Sequence, residues 1–266
     1  MAAARLRRRR GREQTGRFLV EGPQAVREAL AASGNAGGES VHELFATEQA
    51  AARHRELVEA ARRGNVPVSL VTDDAVAALS ETVTPQGLVA VCTQRDIPLA
   101  TVLATAPRLV AVLVEIRDPG NAGTVLRTAD AAGAQAVVFA GEAVDPYNGK
   151  CVRASAGSLF HVRVARAGDP VAVVAQLRAA GLRVLAATGA GSDDLDDLQD
   201  AGMLAAPTAW LFGSEAHGLP APVLATADAR VRVPIHGRAE SLNLGAAAAV
   251  CLYASARAQR DREPRA

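Results

Sequence analysis

The chain has 266 residues, room for one large domain or two modest ones, and 49% of them are hydrophobic, enough for a sizeable core. Its 29 basic and 28 acidic side chains nearly cancel, so net charge alone does not indicate a nucleic-acid partner. Cys92, Cys151 and Cys251 form neither a CxxC nor a Cys/His pair, which sets aside a disulfide framework or zinc site and suits a reducing cytoplasm; no stretch nears about 18 uninterrupted apolar residues, so no membrane span is expected.

In chain order, Arg5, Arg7, Arg8, Arg9, Arg10, Arg12 and Arg17 crowd the start against Glu13 alone. The apolar region of a signal peptide does not follow them. Residues 1–16 read as a basic flexible arm, suited to phosphate binding or simply solvated. Residues 17–21 (RFLVE) predict a strand, and Pro23 opens a helix to about Ala32. A Gly-rich loop covers 33–40. Strands at 41–46, 66–71 and 88–92 alternate with helices at 48–63 and 73–79, the second capped by Thr72. The alternation predicts a small α/β domain over 17–94. Residues 95–107, with Pro98 and Pro107, read as a linker with room for a short helix near 99–104.

A second β/α series fills 108–258. Residues 109–116 (LVAVLVEI) form an uninterrupted apolar run, as in a strand buried on both faces. Strands at 136–139, 161–165, 183–187, 208–212 and 231–235 alternate with helices at 121–132, 148–154, 169–180 (capped by Asp169) and 220–225. The segment 193–200 is acidic. A long Ala-rich helix follows Ser241-Leu242-Asn243, with Ser241 and Asn243 at cap and first-turn positions. Residues 259–266 read as a flexible charged tail.

Familiar phosphate loops are absent. Asp194 stands where a G-x-G-x-x-G beginning at Gly189 needs its last glycine, and Gly149-Lys150 lacks the rest of a P-loop. Arg153 precludes a nucleophile elbow around Ser155. Three stretches remain. EIRDPGNAGTVLRTADAAG (115–133) runs from a strand through a polar turn with Asn121 into a helix with Arg127. Asn121 suits a ligand hydroxyl or a plain turn cap, and Arg127 a ligand or a surface position. WLFGSEAHGLP (210–220) ends a strand in a glycine-flanked loop around Glu215, where backbone can approach a flat ligand. VRVPIHGRAESLNLG (231–245) leads a strand into a helix N-terminus, where backbone N–H groups face outward. DPYNGKCVRASAG (145–157) suits an RNA-contacting face, a subunit contact or a polar loop. His217 and His236 have no metal set around them.

Taken together and in this order, these stretches resemble the SpoU/TrmH family of RNA 2'-O-ribose methyltransferases, within the SPOUT superfamily. Asn121-Ala122-Gly123 with Arg127-Thr128-Ala129 and Gly133 resembles its first motif. Leu211-Phe212-Gly213-Ser214-Glu215 with Gly218-Leu219 resembles the second. Val233-Pro234-Ile235 with Glu240-Ser241-Leu242-Asn243-Leu244 resembles the third. Upstream, residues 16–22 (GRFLVEG) and 84–87 (TPQG) are similar to the family's accessory substrate-binding domain. Leu244-Gly245 stands where the family often has Val then a small residue such as Ala or Ser, and the glycine predicts a slightly looser helix start.

The resemblance implies an α/β chain with a small N-terminal RNA-binding domain and a C-terminal domain whose parallel sheet carries a deep trefoil knot. It implies S-adenosylmethionine as methyl donor, no metal, and a ribose 2'-hydroxyl as acceptor, in ribosomal RNA (23S) as first choice. A transfer RNA acceptor, or a noncatalytic RNA-binding role, is the alternative. Asn121, Arg127, Glu215, Ser241 and Asn243 would form the catalytic set. Thr188, Gly213, Gly218, Val233, Ile235, Leu242 and Asn243 would hold the cofactor. Arg8, Arg9, Arg10, Arg12, Arg17 and Arg153 would contact RNA. A homodimer through the C-terminal domain, in the cytoplasm and away from membranes, is expected.

Overall fold

A computed structural model describes residues 2–35 and 40–260. The tail from 261, Met1 and most of the predicted Gly-rich loop, 36–39, lie outside the described residues. After a 3-10 turn (Ala2–Arg7) come α1 (Arg9–Thr15), β1 (Arg17–Glu21), α2 (Pro23–Asn35), β2 (Val41–Ala46), α3 (Glu48–Arg53), α4 (Arg55–Arg63), β3 (Val68–Leu70), α5 (Asp73–Leu79) and β4 (Leu88–Thr93). Then follow α6 (Leu99–Leu103), β5 (Leu109–Val114), α7 (Pro119–Ala131), β6 (Ala136–Ala140), α8 (Gly149–Ser155), β7 (Arg163–Ala167), α9 (Pro170–Ala179) and β8 (Arg183–Ala187). The chain continues through β9 (Asp193–Asp194), α10 (Leu195–Asp200), β10 (Thr208–Phe212), α11 (Ala221–Thr226), β11 (Ala229–Arg232) and α12 (Leu244–Arg260).

Two compact units emerge: Met1–Arg95 with Asp145–His161, and Asp96–Val144 with Val162–Ala266. The first holds a mixed four-stranded sheet, order β1-β4-β2-β3, with only the β2–β3 pair parallel. Its caps follow the sequence: Thr72 accepts the Ala75 N–H ahead of α5, and Thr47 accepts that of Ala50 ahead of α3. The helix predicted over 48–63 is two helices that meet at His54, whose backbone leaves the helical region (φ −117°, ψ 49°).

Residues 2–15 correct the expectation of a flexible arm. Leu6 is buried in a cluster with Phe45, Val76, Leu79, Val89 and Val91. Arg12, 3% exposed, donates from Nε to Asp145 Oδ2 at 2.8 Å and from Nη1 to the Leu6 and Arg7 carbonyls. The other Asp145 oxygen accepts the Tyr147 N–H at 3.0 Å. Every oxygen of the buried carboxylate is therefore answered, which is the condition for burying such a pair without heavy loss. Residues 145–161, predicted as part of the second domain, pack into the first unit. Tyr147 lies 4.6 Å from the Phe18 ring and accepts the Arg95 N–H, Phe160 lies 6.2 Å from Phe18, and Arg153 pairs with Glu21 at 2.7 Å.

The second unit is a seven-stranded sheet, order β7-β6-β5-β10-β8-β11-β9, parallel at every pair. β5, β6 and β10 are buried along their whole length, as the apolar run at 109–114 requires. Leu99, Val102, Val110, Val112, Val173, Leu177, Val184, Leu211 and Val223 belong to one core. α12 buries a stripe of Gly245, Ala248, Cys251, Leu252 and Ser255, spaced as one helix face. Within the core, Trp210 donates its indole N–H to Ser255 Oγ at 2.9 Å. The predicted strand at 231–235 ends at Arg232, before Pro234, which has no N–H to offer a ladder. No helix is long and apolar enough to cross a membrane among the described residues.

Removing one partner of a buried, hydrogen-bonded ion pair strands the other charge. Arg12→Ala is therefore expected to lower stability by about 3–5 kcal/mol, and Arg12→Met with Asp145→Leu by distinctly less. Urea unfolding of the three proteins checks this; a single variant as stable as the wild type would show the pair to be dispensable.

Candidate active site

Strand register aligns the carboxyl ends of four neighbouring strands. Leu113 of β5 faces Phe212 of β10, Phe212 faces Ala187 of β8, and Ala187 faces Val231 of β11. The loops after these strands open along one edge. Strand order reverses between β5 and β10, since β6 and β7 extend to one side and β8, β11 and β9 to the other. In open parallel sheets the ligand crevice lies outside the strand ends at that reversal. The three motif stretches leave the sheet along this edge.

A line of hydrogen bonds joins them. The Gly245 N–H donates to Asn243 Oδ1 at 2.9 Å, Asn243 Nδ2 donates to Asn121 Oδ1 at 3.3 Å, and Asn121 Nδ2 donates to Glu215 Oε1. Residues 94 and 122 positions from Asn121 thus meet at one carboxamide. Each donor points toward the Glu215 carboxylate, so the amide dipoles are ordered by its charge. Each amide keeps a second N–H, which a hydroxyl or phosphate can accept. Asp118 sets the first loop: it caps α7 by accepting the Asn121 N–H at 2.8 Å, with Pro119 next. Sequence reasoning gave Asp118 no role, although Asp followed by Pro is the signal of a helix start. Asn243, not Ser241, caps α12: its side chain takes the Gly245 N–H and its carbonyl the Ala247 N–H.

Of the expected cofactor residues, Thr188, Gly213 and Val233 directly follow β8, β10 and β11, Gly218 and Ile235 lie further along the loops, and Leu242 and Asn243 stand just before α12. Gly213 directly follows β10, and a Cβ there would sit 2.2 Å from the Gly218 carbonyl carbon. Gly218 has φ +66° and donates to the Ser214 carbonyl at 2.7 Å, closing a tight loop. Thr188 follows β8 and donates its N–H to Val231 at 2.9 Å. A Cβ on nearby Gly191 would lie 2.6 Å from the Arg230 carbonyl oxygen. Val233 is half-buried, while Ile235 and Leu242 expose 39% and 38% of their surface. Arg127 and Ser241 are exposed and stand outside the hydrogen-bond line; neither side chain has a hydrogen bond or ion pair among the described residues.

The arginines expected to meet RNA belong to the first unit and divide into two groups. Arg8, Arg9, Arg10 and Arg17 are exposed, Arg9 in a pair with Glu13 at 2.7 Å. Arg12 is sealed against Asp145 and cannot reach a phosphate, which corrects its assignment. Arg153 is mostly buried and held by Glu21 at 2.7 Å and Glu81 at 3.8 Å. Two of the three buried thiols are also poor nucleophiles: burial raises Cys92 strongly and pushes Cys251 up to about 12.

The SpoU rRNA Methylase family matches residues 108–253, and the MRM3-like substrate binding domain matches residues 1–90. The chain is 33% identical to a Bacillus subtilis 23S rRNA (guanosine(2553)-2'-O)-methyltransferase, over 94% of this chain and 92% of that one. An AdoMet-bound rRNA methyltransferase from Sinorhizobium meliloti superposes with a TM-score of 0.81 and 31% identity, covering 96% and 93% of the two chains. The SpoU methyltransferase AviRb from Streptomyces viridochromogenes, in complex with AdoMet, superposes with a TM-score of 0.80 at 31% identity, covering 98% and 97%.

Proposed function

The chain belongs to the SpoU rRNA methylase family and is an S-adenosylmethionine-dependent RNA 2'-O-ribose methyltransferase; we propose that its acceptor lies in 23S ribosomal RNA and that Asn121, Arg127, Glu215, Ser241 and Asn243 form its catalytic set. The observation that carries the residue assignment is the line Asn243–Asn121–Glu215, which unites three motifs at the sheet's reversal point. Relatives that act on 23S rRNA support the acceptor.

The strand ends suit an adenosine. Gly191 and Gly213 bring backbone segments closer than any side chain would permit, and backbone hydrogen bonds at Thr188 and Gly218 hold the loops around them in place. Val233, Ile235 and Leu242 offer apolar surface for a flat ring. When bound there, S-adenosylmethionine supplies a sulfonium methyl that is already electrophilic. What the protein must add is position and proton handling. The second N–H groups of Asn121 and Asn243 are suited to orient the ribose. Arg127, with its guanidinium unengaged, orients the phosphate beside the target and stabilises the oxygen as its proton leaves. A guanidinium stays charged, so its part is electrostatic before it is basic. Requiring a 2'-hydroxyl also separates RNA from DNA.

Exposed Arg8, Arg9, Arg10 and Arg17 give the first unit a basic surface for the RNA backbone. In the second unit Val250 and Tyr253 are exposed on α12 beside an open cavity of about 830 Å³. These two exposed side chains support a homodimer through this unit, and the deep trefoil knot belongs to the same reading.

Methyl transfer to a 23S rRNA transcript is expected to vanish in Arg127→Ala while calorimetric S-adenosylmethionine binding stays near wild type. Wild-type turnover by the variant would remove Arg127 from the set, and transfer to tRNA alone would move the acceptor. Arg8→Ala with Arg10→Ala is expected to weaken RNA binding and flatten its dependence on log salt by about two phosphate contacts; an unchanged slope would make these arginines bystanders. Tyr253→Asp is expected to convert a dimer to monomer in sedimentation equilibrium, and a wild type already monomeric would refute the interface.

A further inference from the structure

Two stretches that the active site leaves unused meet in the first unit. Glu21 and Gly22, from residues 16–22, and Thr84, Pro85 and Gln86, from residues 84–87, line one open cavity of about 330 Å³. Val76, Leu88 and Val89 give it apolar surface. The loop over residues 80–87 is fixed at both ends. Ser80 Oγ donates to Glu21 and accepts the Thr82 N–H at 3.1 Å. The Gly87 carbonyl accepts the Thr47 N–H at 2.9 Å, and a Cβ on Gly87 would lie 2.7 Å from Thr47 Oγ1. Gly22 admits Gln86 in the same way, since a Cβ there would lie 2.8 Å from Gln86 Oε1. The fold therefore shapes this cavity before any ligand arrives.

Charge narrows what it can hold. Glu21 and Arg153 are the two charged residues in the lining, and they pair with each other at 2.7 Å. Glu81 is a second carboxylate, 3.8 Å from the same guanidinium. A phosphate would find no uncommitted cation here. What the cavity offers is neutral: the hydroxyls of Thr82 and Thr84 and the amides of Gln24 and Gln86, beside apolar surface. An unpaired nucleobase is neutral, flat and edged with donors and acceptors, whereas pairing uses that edge up. Val83 stands fully exposed between the two threonines, an apolar side chain for a ribose or a neighbouring base to cover.

We propose that this cavity takes one unpaired nucleobase of the substrate RNA. The first unit then selects a single-stranded position through a base, in addition to the phosphates met by its exposed arginines. This rests on the reading of the protein as an RNA methyltransferase. The test is Thr84→Trp, which sets an indole at an exposed position of the lining, with Gln24→Trp doing the same from α2. Full-length proteins are compared for binding and methyl transfer to the 23S rRNA transcript, and for protection of its unpaired bases from base-specific chemical probes. Each variant is expected to raise Kd and the RNA KM about tenfold, the loss of one base contact, with kcat near wild type. The slope of log Kd against log salt is expected to stay at the wild-type value, because no phosphate contact is lost. One unpaired base protected by the wild type is expected to become reactive again in both variants. Wild-type affinity, an unchanged protection pattern or a flattened salt slope in both variants would each overturn the base pocket. A wild-type protein that binds no RNA would overturn the RNA reading itself, and the pocket with it.

Discussion

Asn121 makes one carboxamide answer to two distant segments at once. Its nitrogen is bound to Glu215 and its oxygen to Asn243, so the loop after β5 is tied to the loop after β10 and to the start of α12. An amide can do this because it is donor and acceptor in one rigid plane; aspartate could accept from Asn243 but could not donate to Glu215. The arrangement depends on the sheet beneath it. Parallel register carries Leu113 and Phe212 to the same level, and the reversal of strand order leaves a crevice above them.

Around that amide the protein invests in fixed backbone. Asp118 holds the first turn of α7, the Gly213–Gly218 loop closes without room for a side chain, and α12 is anchored along its length to β10 through Trp210 and Ser255. Arg127 and Ser241 lie exposed outside that framework. Hydrogen bonds hold the polar line, and the Arg127 charge sits exposed on the surface of α7, a division suited to a reaction that needs alignment more than a strong base.

Legibility of the sequence followed the range of the interactions. The apolar run of β5 and the caps Thr72 and Asp169 were readable because each is a local decision, and each lies where the pattern put it. The split at His54 carried no glycine or proline to announce it. Asp193–Asp194 forms a two-residue edge strand that no β-propensity would suggest. Leu6 and Arg12 looked like parts of a solvated basic run, because the partner that buries Arg12 stands 133 residues later. The candidate site belongs to the same class: Asn121, Glu215 and Asn243 were each ambiguous alone, and only their order along the chain, matched to a family, grouped them before the hydrogen bonds did.

Residues 145–161 also bear on how the molecule is made. The first 95 residues leave the ribosome long before the segment that finishes their core. Until Tyr147 and Phe160 arrive, Phe18 lacks its aromatic neighbours, and Arg12 has no counter-ion to be buried with. The nascent amino-terminal unit therefore waits, incomplete and with apolar surface exposed, while two strands of the next sheet are being synthesised. A fragment cut near residue 95 therefore lacks Asp145, Tyr147 and Phe160, the residues that complete the surroundings of Arg12 and Phe18.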